Sequence, residues 1–143
     1  MLDPRLNSSW WALRLAYGLV PIVAGLDKFT NLLTRWTDYL SPLATRLLPV
    51  SPSSLMHLVG VVEICAGVLV LTRFTRQAAW IVAAWLLLIA LNLLTTGRYF
   101  DVAARDVVLA VGAFALAQLT SVKEDARAPA AADPGPAAVR RPA

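Results

Sequence analysis

The chain has 143 residues, of which 58% are hydrophobic and 15% charged, with a formal net charge of +4. Soluble domains carry roughly 25% charged residues, so this composition excludes an ordinary soluble protein, and the length leaves room for one domain only. The pI near 9.8 does not point to nucleic acid, because the basic residues flank long apolar runs, where positive-inside topology and lipid headgroups account for them.

Cys65 is the only cysteine and His57 the only histidine. An intrachain disulfide, a haem held by two histidines and a cysteine-ligated iron–sulfur cluster are therefore excluded, and too few ligands remain for a zinc site. No metal and no other cofactor is expected on this chain alone. Any electron centre has to come from a protein partner or from a diffusible carrier such as a quinone.

In chain order, residues 1–9 read as a short N-terminal segment and residues 10–28 as the first membrane span. That span lacks a small-x-small cleavage site at its end, which predicts a retained helix and not a signal peptide. Arg14, Gly18, Pro21, Gly25 and Lys28 recur at helical spacing and form one narrow stripe. Small residues in such a stripe let a second helix approach closely, and Pro21 can kink the helix. Arg14 falls one to two turns inside the helix end, and an arginine facing lipid there is costly, so it is expected to face the bundle.

Residues 29–54 follow. Phe29, Leu32, Leu33, Trp36, Leu40, Leu43 and Leu47 fall at helical spacing, which predicts an amphipathic segment lying in the interface, broken near Pro42 and ended by Pro49 and Pro52. Trp10, Trp11, Trp36 and Tyr39 suit headgroup depth.

The second span, residues 55–72, carries Glu63 near its midpoint. Gly60, Glu63 and Gly67 share a face, with Met56 and Leu71 extending it. An unpaired carboxylate at that depth is strongly disfavoured, so Glu63 reads either as an interhelical clamp or as a proton or ligand site. Arg14 and Arg105 are the cations weighed as its partner, whereas His57 points to a different side of the helix. Cys65 reads as a small buried hydrophobe. The segments GLVPIVAG (18–25) and GVVEICAG (60–67) match at five of eight positions.

Residues 78–96 form the third and most apolar span, with Asn92 as a helix–helix hydrogen bonder. Residues 102–119 form the fourth, with Gln118 in the same role. Asp101 and Arg105, four apart, are expected to pair along one face, while Asp106 must find another partner. The tail 121–143, rich in alanine and proline, is expected to be disordered. Lysines and arginines favour both termini in the cytoplasm: Arg5, Arg73, Arg76, Lys123, Arg127, Arg140 and Arg141 inside, against Lys28, Arg35, Arg46 and Arg98 outside.

These readings give an all-α integral membrane four-helix bundle over residues 10–120, with an interfacial segment between its first two helices. Its ordered polar features are Arg14, Gly25-x-x-Lys28, Gly60-x-x-Glu63-x-x-x-Gly67 and Arg105-Asp106. In that order they resemble the DoxX family of small four-helix bacterial membrane proteins, over about residues 10–120. The resemblance implies an inner-membrane location and a redox-associated role. The family's named member is a subunit of a thiosulfate:quinone oxidoreductase, and a related role is as the membrane anchor of an oxidoreductase complex. On this basis the chain is expected to be a subunit or accessory of a membrane oxidoreductase system, with a quinone pocket near Glu63, His57 and Arg105 and with protein partners or further copies of itself. The alternatives are a non-catalytic scaffold and a small proton-coupled transporter.

Overall fold

The computed structural model describes residues 3–127. Its elements are α1 (Pro4–Thr30), a 3-10 turn (Trp36–Tyr39), α2 (Pro42–Leu47), α3 (Pro52–Leu71), α4 (Thr75–Thr95) and α5 (Phe100–Asp125), with no strand among the described residues. Helices α1, α3, α4 and α5 are each long and apolar enough to cross a membrane, and α4 is the most apolar. About twenty residues at about 1.5 Å each cover the roughly 30 Å of hydrocarbon. The expected four-helix bundle is what the chain forms.

The helices outrun the apolar segments that announce them. Most of the 1–9 segment is already helical, and α5 continues to Asp125, past the boundary expected at 120. The Asp3 cap and Pro4 start α1 early, and buried Thr120 and Lys123 hold the end of α5 against the bundle. Residues 128–143, the rest of the tail expected to be disordered, lie outside the described residues.

Three helices begin the same way. Asp3-Pro4, Ser41-Pro42 and Ser51-Pro52 each place a side-chain acceptor at the N-cap and a proline at the first helical position. Proline's fixed φ suits that position and its missing N–H is not needed there. Pro42 and Pro52 are therefore starts, not the break and stop that the sequence suggests, and the second span begins at Pro52 instead of 55.

The segment between the first two spans is not one amphipathic helix. Asn31, in the left-handed region at φ 51°, caps α1, and Asp27 draws the backbone N–H groups of Leu32 and Leu33 onto its carboxylate. The chain then runs through the 3-10 turn into α2. Leu32, Leu33, Leu43 and Leu47 stay exposed, so the apolar contact that an interfacial segment needs survives the break.

Packing divides the bundle into two close antiparallel pairs, α1 with α3 and α4 with α5. The first pair is built on glycine. A Cβ on Gly25 would stand 2.6 Å from the Gly60 carbonyl oxygen, and one on Gly60 would stand 2.7 Å from that of Gly25. Gly67 meets the Gly18 carbonyl in the same way, and Gly18 is covered by Leu71. The two echoing segments thus pack on each other about a local two-fold axis, with Ile64 against Gly25 as Ile22 is against Gly67. α1 stays helical through Pro21 between these contacts. The second pair is built on alanine: Ala78, Ala79 and Ala83 of α4 meet Ala113 and Ala117 of α5, with Val82 and Leu116 between them. Small residues are the usual means of close approach where lipid supplies no hydrophobic drive.

Large apolar residues cover the outside, among them Val20, Val23, Leu88, Leu91, Val108 and Val111, as a lipid-facing surface requires. Cys65 is exposed on this surface and not buried.

Candidate functional site

The glycine contact between α1 and α3 fixes what surrounds it. Lys28 lies one turn beyond Gly25, and its Cβ sits 3.2 Å from where a side chain at Gly60 would begin. With no side chain at 60, the Lys28 stem runs along α3 to Glu63, and Nζ donates to Glu63 Oε2 at 2.6 Å. Both residues are buried, at 4% and 8% exposure. Glu63 therefore meets Lys28, not Arg14 or Arg105.

The turn after α1 completes this end. Asp27 accepts hydrogen bonds from Leu32 and Leu33 N–H, from Thr30 Oγ1 and, at 2.7 Å, from Trp36 Nε1. The turn folds Trp36 back so that the Lys28 ammonium lies 3.6 Å from its ring centroid, a cation–π contact of the kind that strengthens away from water. Asn92 secures the rest of the segment: its Oδ1 accepts from Ser41 N–H and its Nδ2 donates to the Tyr39 carbonyl. Asn92 thus bonds the interfacial segment and not another spanning helix.

Two further groups close around the pair. Asp106, on α5, is buried at 8% exposure. It lies within electrostatic reach of Arg105, Lys28 and Glu63, and neither ion pair among the described residues includes it. Trp85, on α4, turns a fully buried Nε1 toward Glu63 without forming a hydrogen bond. Three spanning helices therefore contribute Lys28, Glu63 and Trp85 to one polar cluster with Trp36 as its cover, and Asp106 of α5 is buried within electrostatic reach of it.

The other candidates lie elsewhere. His57 is half-buried and stacks on Phe29, with ring centroids 4.9 Å apart. Arg105 and Asp101 are exposed and form no ion pair with each other, so the pairing expected from their spacing is absent. Both side chains are exposed, so the packing does not hold them together. Glu63, His57 and Arg105 thus occupy three different settings. A groove of about 240 Å³ runs along the outer face of α1, lined by Leu19, Val20, Val23, Ala24 and Leu33, and none of the three lines it. Gln118 is exposed.

Arg14 faces the bundle as expected, at the opposite end. Its guanidinium donates to the carbonyls of Val70 (3.2 Å), Leu71 (2.7 Å) and Thr72 (2.8 Å). These are the acceptors that the C-terminus of α3 leaves unmatched, and a cation there also meets the negative end of the helix dipole. Beside it, Lys123 lies 3.4 Å from the Trp10 ring centroid and donates to Asn7 Oδ1 at 2.7 Å. Trp10 itself is buried and donates to Thr120 Oγ1 at 2.8 Å. It is a core residue linking α1 to α5, whereas Trp11 keeps an exposed position.

Asp27 and Trp85 carry no site expectation from the sequence, which marks Trp36 only as a headgroup-depth aromatic and Lys123 only as an inside charge. Asp27 and Trp36 lie nine residues apart across an irregular turn, and only the first had a local signal, an acid followed by Asn31 near a helix end. Trp85 sits in a run with no polar neighbour to mark its face.

Among the described residues no group of histidine, cysteine and carboxylate side chains is placed to hold a metal. A family model described as DoxX matches residues 9–96, which takes in Lys28, Glu63 and Trp85 but not Asp106. No curated protein and no solved structure matches the chain.

Proposed function

The chain belongs to the DoxX family, and on that premise we propose that it is an integral-membrane subunit or accessory of an oxidoreductase system in the bacterial inner membrane. Both termini lie in the cytoplasm in this reading. The Arg14 end is then the inner one and the Lys28 cluster stands toward the outer face.

The observation that carries the accessory role is the engagement of Glu63 by Lys28 at 2.6 Å. Glu63 is the group best suited to bond or protonate a quinone carbonyl, and it is already taken by a cation of its own chain. A quinone head needs an apolar slot with a few convergent polar groups. The groove on α1 is apolar but has none, and Arg105 faces outward. We therefore place the quinone, as the electron carrier of the system, at an interface between this chain and a redox partner and not inside the bundle.

The test is affinity purification from membranes in mild detergent, with mass spectrometry of co-purifying proteins and lipids. The expected result is a co-eluting oxidoreductase subunit that bears the redox centre, together with bound quinone. A chain that elutes alone, and whose loss leaves respiration unchanged, removes the proposal. A second reading, a small proton-coupled transporter, is favoured by the buried carboxyl of Asp106 within electrostatic reach of Glu63. Substrate uptake into vesicles that is abolished by Glu63→Gln would establish it instead.

A further inference from the structure

Charge is distributed unequally between the two ends of the bundle. Among the described residues the Lys28 end carries cations and carboxyl groups in equal number. The Arg14 end carries Arg5, Arg14, Arg73, Arg76, Lys123 and Arg127 against Asp3, Glu124 and Asp125. Each of those carboxyl groups is engaged or exposed: Asp3 caps α1, Glu124 pairs with Arg76, and Asp125 is exposed.

The excess converges on two neighbouring tryptophans. Trp10 and Trp11 meet edge to face, with ring centroids 4.9 Å apart. Lys123 Nζ lies 3.4 Å from the Trp10 centroid and 5.7 Å from that of Trp11. The Arg14 guanidinium carbon lies 4.9 Å and 5.1 Å from the same two. Both cations share one aromatic pair, and neither belongs to an ion pair among the described residues. Lys123 is buried, with the neutral Asn7 amide oxygen as its acceptor. The charged groups that bear on it, Arg127 and Arg14, are also positive. Ring faces offset part of such a charge, but two like charges held together away from water call for an anion. Arg14 keeps a donor for one. Its Nε and Nη2 are taken by the α3 carbonyls, whereas Nη1 has no partner among the described residues and is not buried.

The position selects the anion. The two tryptophans stand at the end of a spanning helix, at headgroup depth. Trp11 is exposed, and Leu15, Leu19 and Val23 continue its face at four-residue spacing, all of them exposed. From Trp11 to Val23 the helix rises about 18 Å, a little more than half of the roughly 30 Å hydrocarbon core. The stripe leads into the groove that Leu19 and Val23 help to line. An acidic segment of a soluble protein would meet the charges and leave the stripe unused, whereas a phospholipid meets both.

We propose that Arg14, Lys123 and Trp11 form a binding site for the phosphate of an anionic phospholipid, whose acyl chain lies along Leu15, Leu19 and Val23. The lipid fastens the same end of the bundle that Arg14 already clamps. The site requires neither an oxidoreductase partner nor a cytoplasmic assignment of the Arg14 end, so its failure is separate from a failure of the proposed function.

The experiment titrates the full chain, in neutral detergent, with phosphatidylglycerol or with phosphatidylcholine of the same acyl length and reads the thermal midpoint. Phosphatidylglycerol is expected to reach half its effect at about one tenth of the phosphatidylcholine concentration, a preference of the order that two cations near a membrane surface supply. Lys123→Gln should abolish most of that preference. Asn7→Asp should do the same, because it sets a carboxylate of nearly the same shape against Lys123 and supplies the missing anion from within. Should Lys123→Gln fail to fold, Asn7→Asp decides, since it keeps the hydrogen-bond acceptor. Arg73→Gln should leave the preference intact, because Arg73 is exposed and lies over Phe74 instead of the tryptophan pair. Equal half-effects for the two lipids overturn the proposal, as does a preference that survives Asn7→Asp. A preference lost equally in Arg73→Gln would show diffuse attraction to the whole end and overturns it too. Inorganic phosphate or a polyglutamate peptide that matches phosphatidylglycerol at equal charge would replace the lipid with a free anion or an acidic protein, and either result refutes the site.

Discussion

The two ends of the bundle bury lysines in the same way and neutralise them differently. At one end Lys28 lies under Trp36, and at the other Lys123 lies under Trp10. Lys28 is met by the Glu63 carboxylate. Lys123 is met by the Asn7 amide oxygen, and its neighbour Arg14 by three backbone carbonyls. Amides and carbonyls do not titrate, so the counter-groups at the Arg14 end keep one charge state and that end acts as a clamp. The Lys28 end contains groups that can gain or lose a proton, which makes it the candidate for function. Buried charge in a membrane protein is thus not one category, and the counter-group separates a fastening from a site.

Substitutions at both ends test that distinction, taken from the largest expected effect to the smallest. Glu63→Ala leaves Lys28 buried without its partner and is expected to cost about 3–5 kcal/mol, read as a large fall in the thermal midpoint in detergent. Lys28→Met combined with Glu63→Leu should recover much of that loss, since apolar replacement of a whole buried pair is often neutral.

Gly25→Ala places a methyl group 2.6 Å from the Gly60 carbonyl and forces α1 and α3 apart. About 1–3 kcal/mol is expected, with a matching loss of the Lys28–Glu63 contact visible as altered Trp36 fluorescence. Gly67→Ala acts at the Arg14 end of the same interface and should destabilise to a similar degree while leaving that fluorescence unchanged.

Arg14→Met removes part of the α3 cap, leaving Thr75 on the Val70 and Thr72 carbonyls, and should cost about 1–2 kcal/mol, seen as faster amide exchange in the turn after Leu71 and no change in the pH dependence of the Lys28 end. A pH-dependent property of the Lys28 end that moved with Arg14 would erase the contrast between the two ends. Arg76→Ala is the smallest. Its ion pair with Glu124 is about two-fifths exposed on both sides, so unfolding should shift by less than about 0.5 kcal/mol.

The sequence carried a good deal of the candidate site, though unevenly. Lys28, Glu63 and Asp106 all stood out because charge is conspicuous in apolar runs, and Gly25 and Gly60 stood out by their spacing. What spacing could not supply was the register between α1 and α3. Gly25 opposite Gly60 puts Lys28 within reach of Glu63, and depth estimates alone had pointed to the arginines. Asp101 and Arg105 show the converse. Their four-residue spacing permits a pair, but on an exposed face nothing enforces it.

The amino-acid sequence by itself determined that the chain is a membrane protein, the number of spanning helices and the shortage of ligands for a two-histidine haem or a cysteine-bound cluster. These follow from composition and from the length of each apolar run, which are local properties of the chain. Only the tertiary structure decided which charges meet, that Asp27 folds Trp36 over Lys28, and that Trp10 is core. Those outcomes depend on how four helices rotate against one another. That rotation is set by close contacts between small residues far apart in the chain, which no single segment encodes.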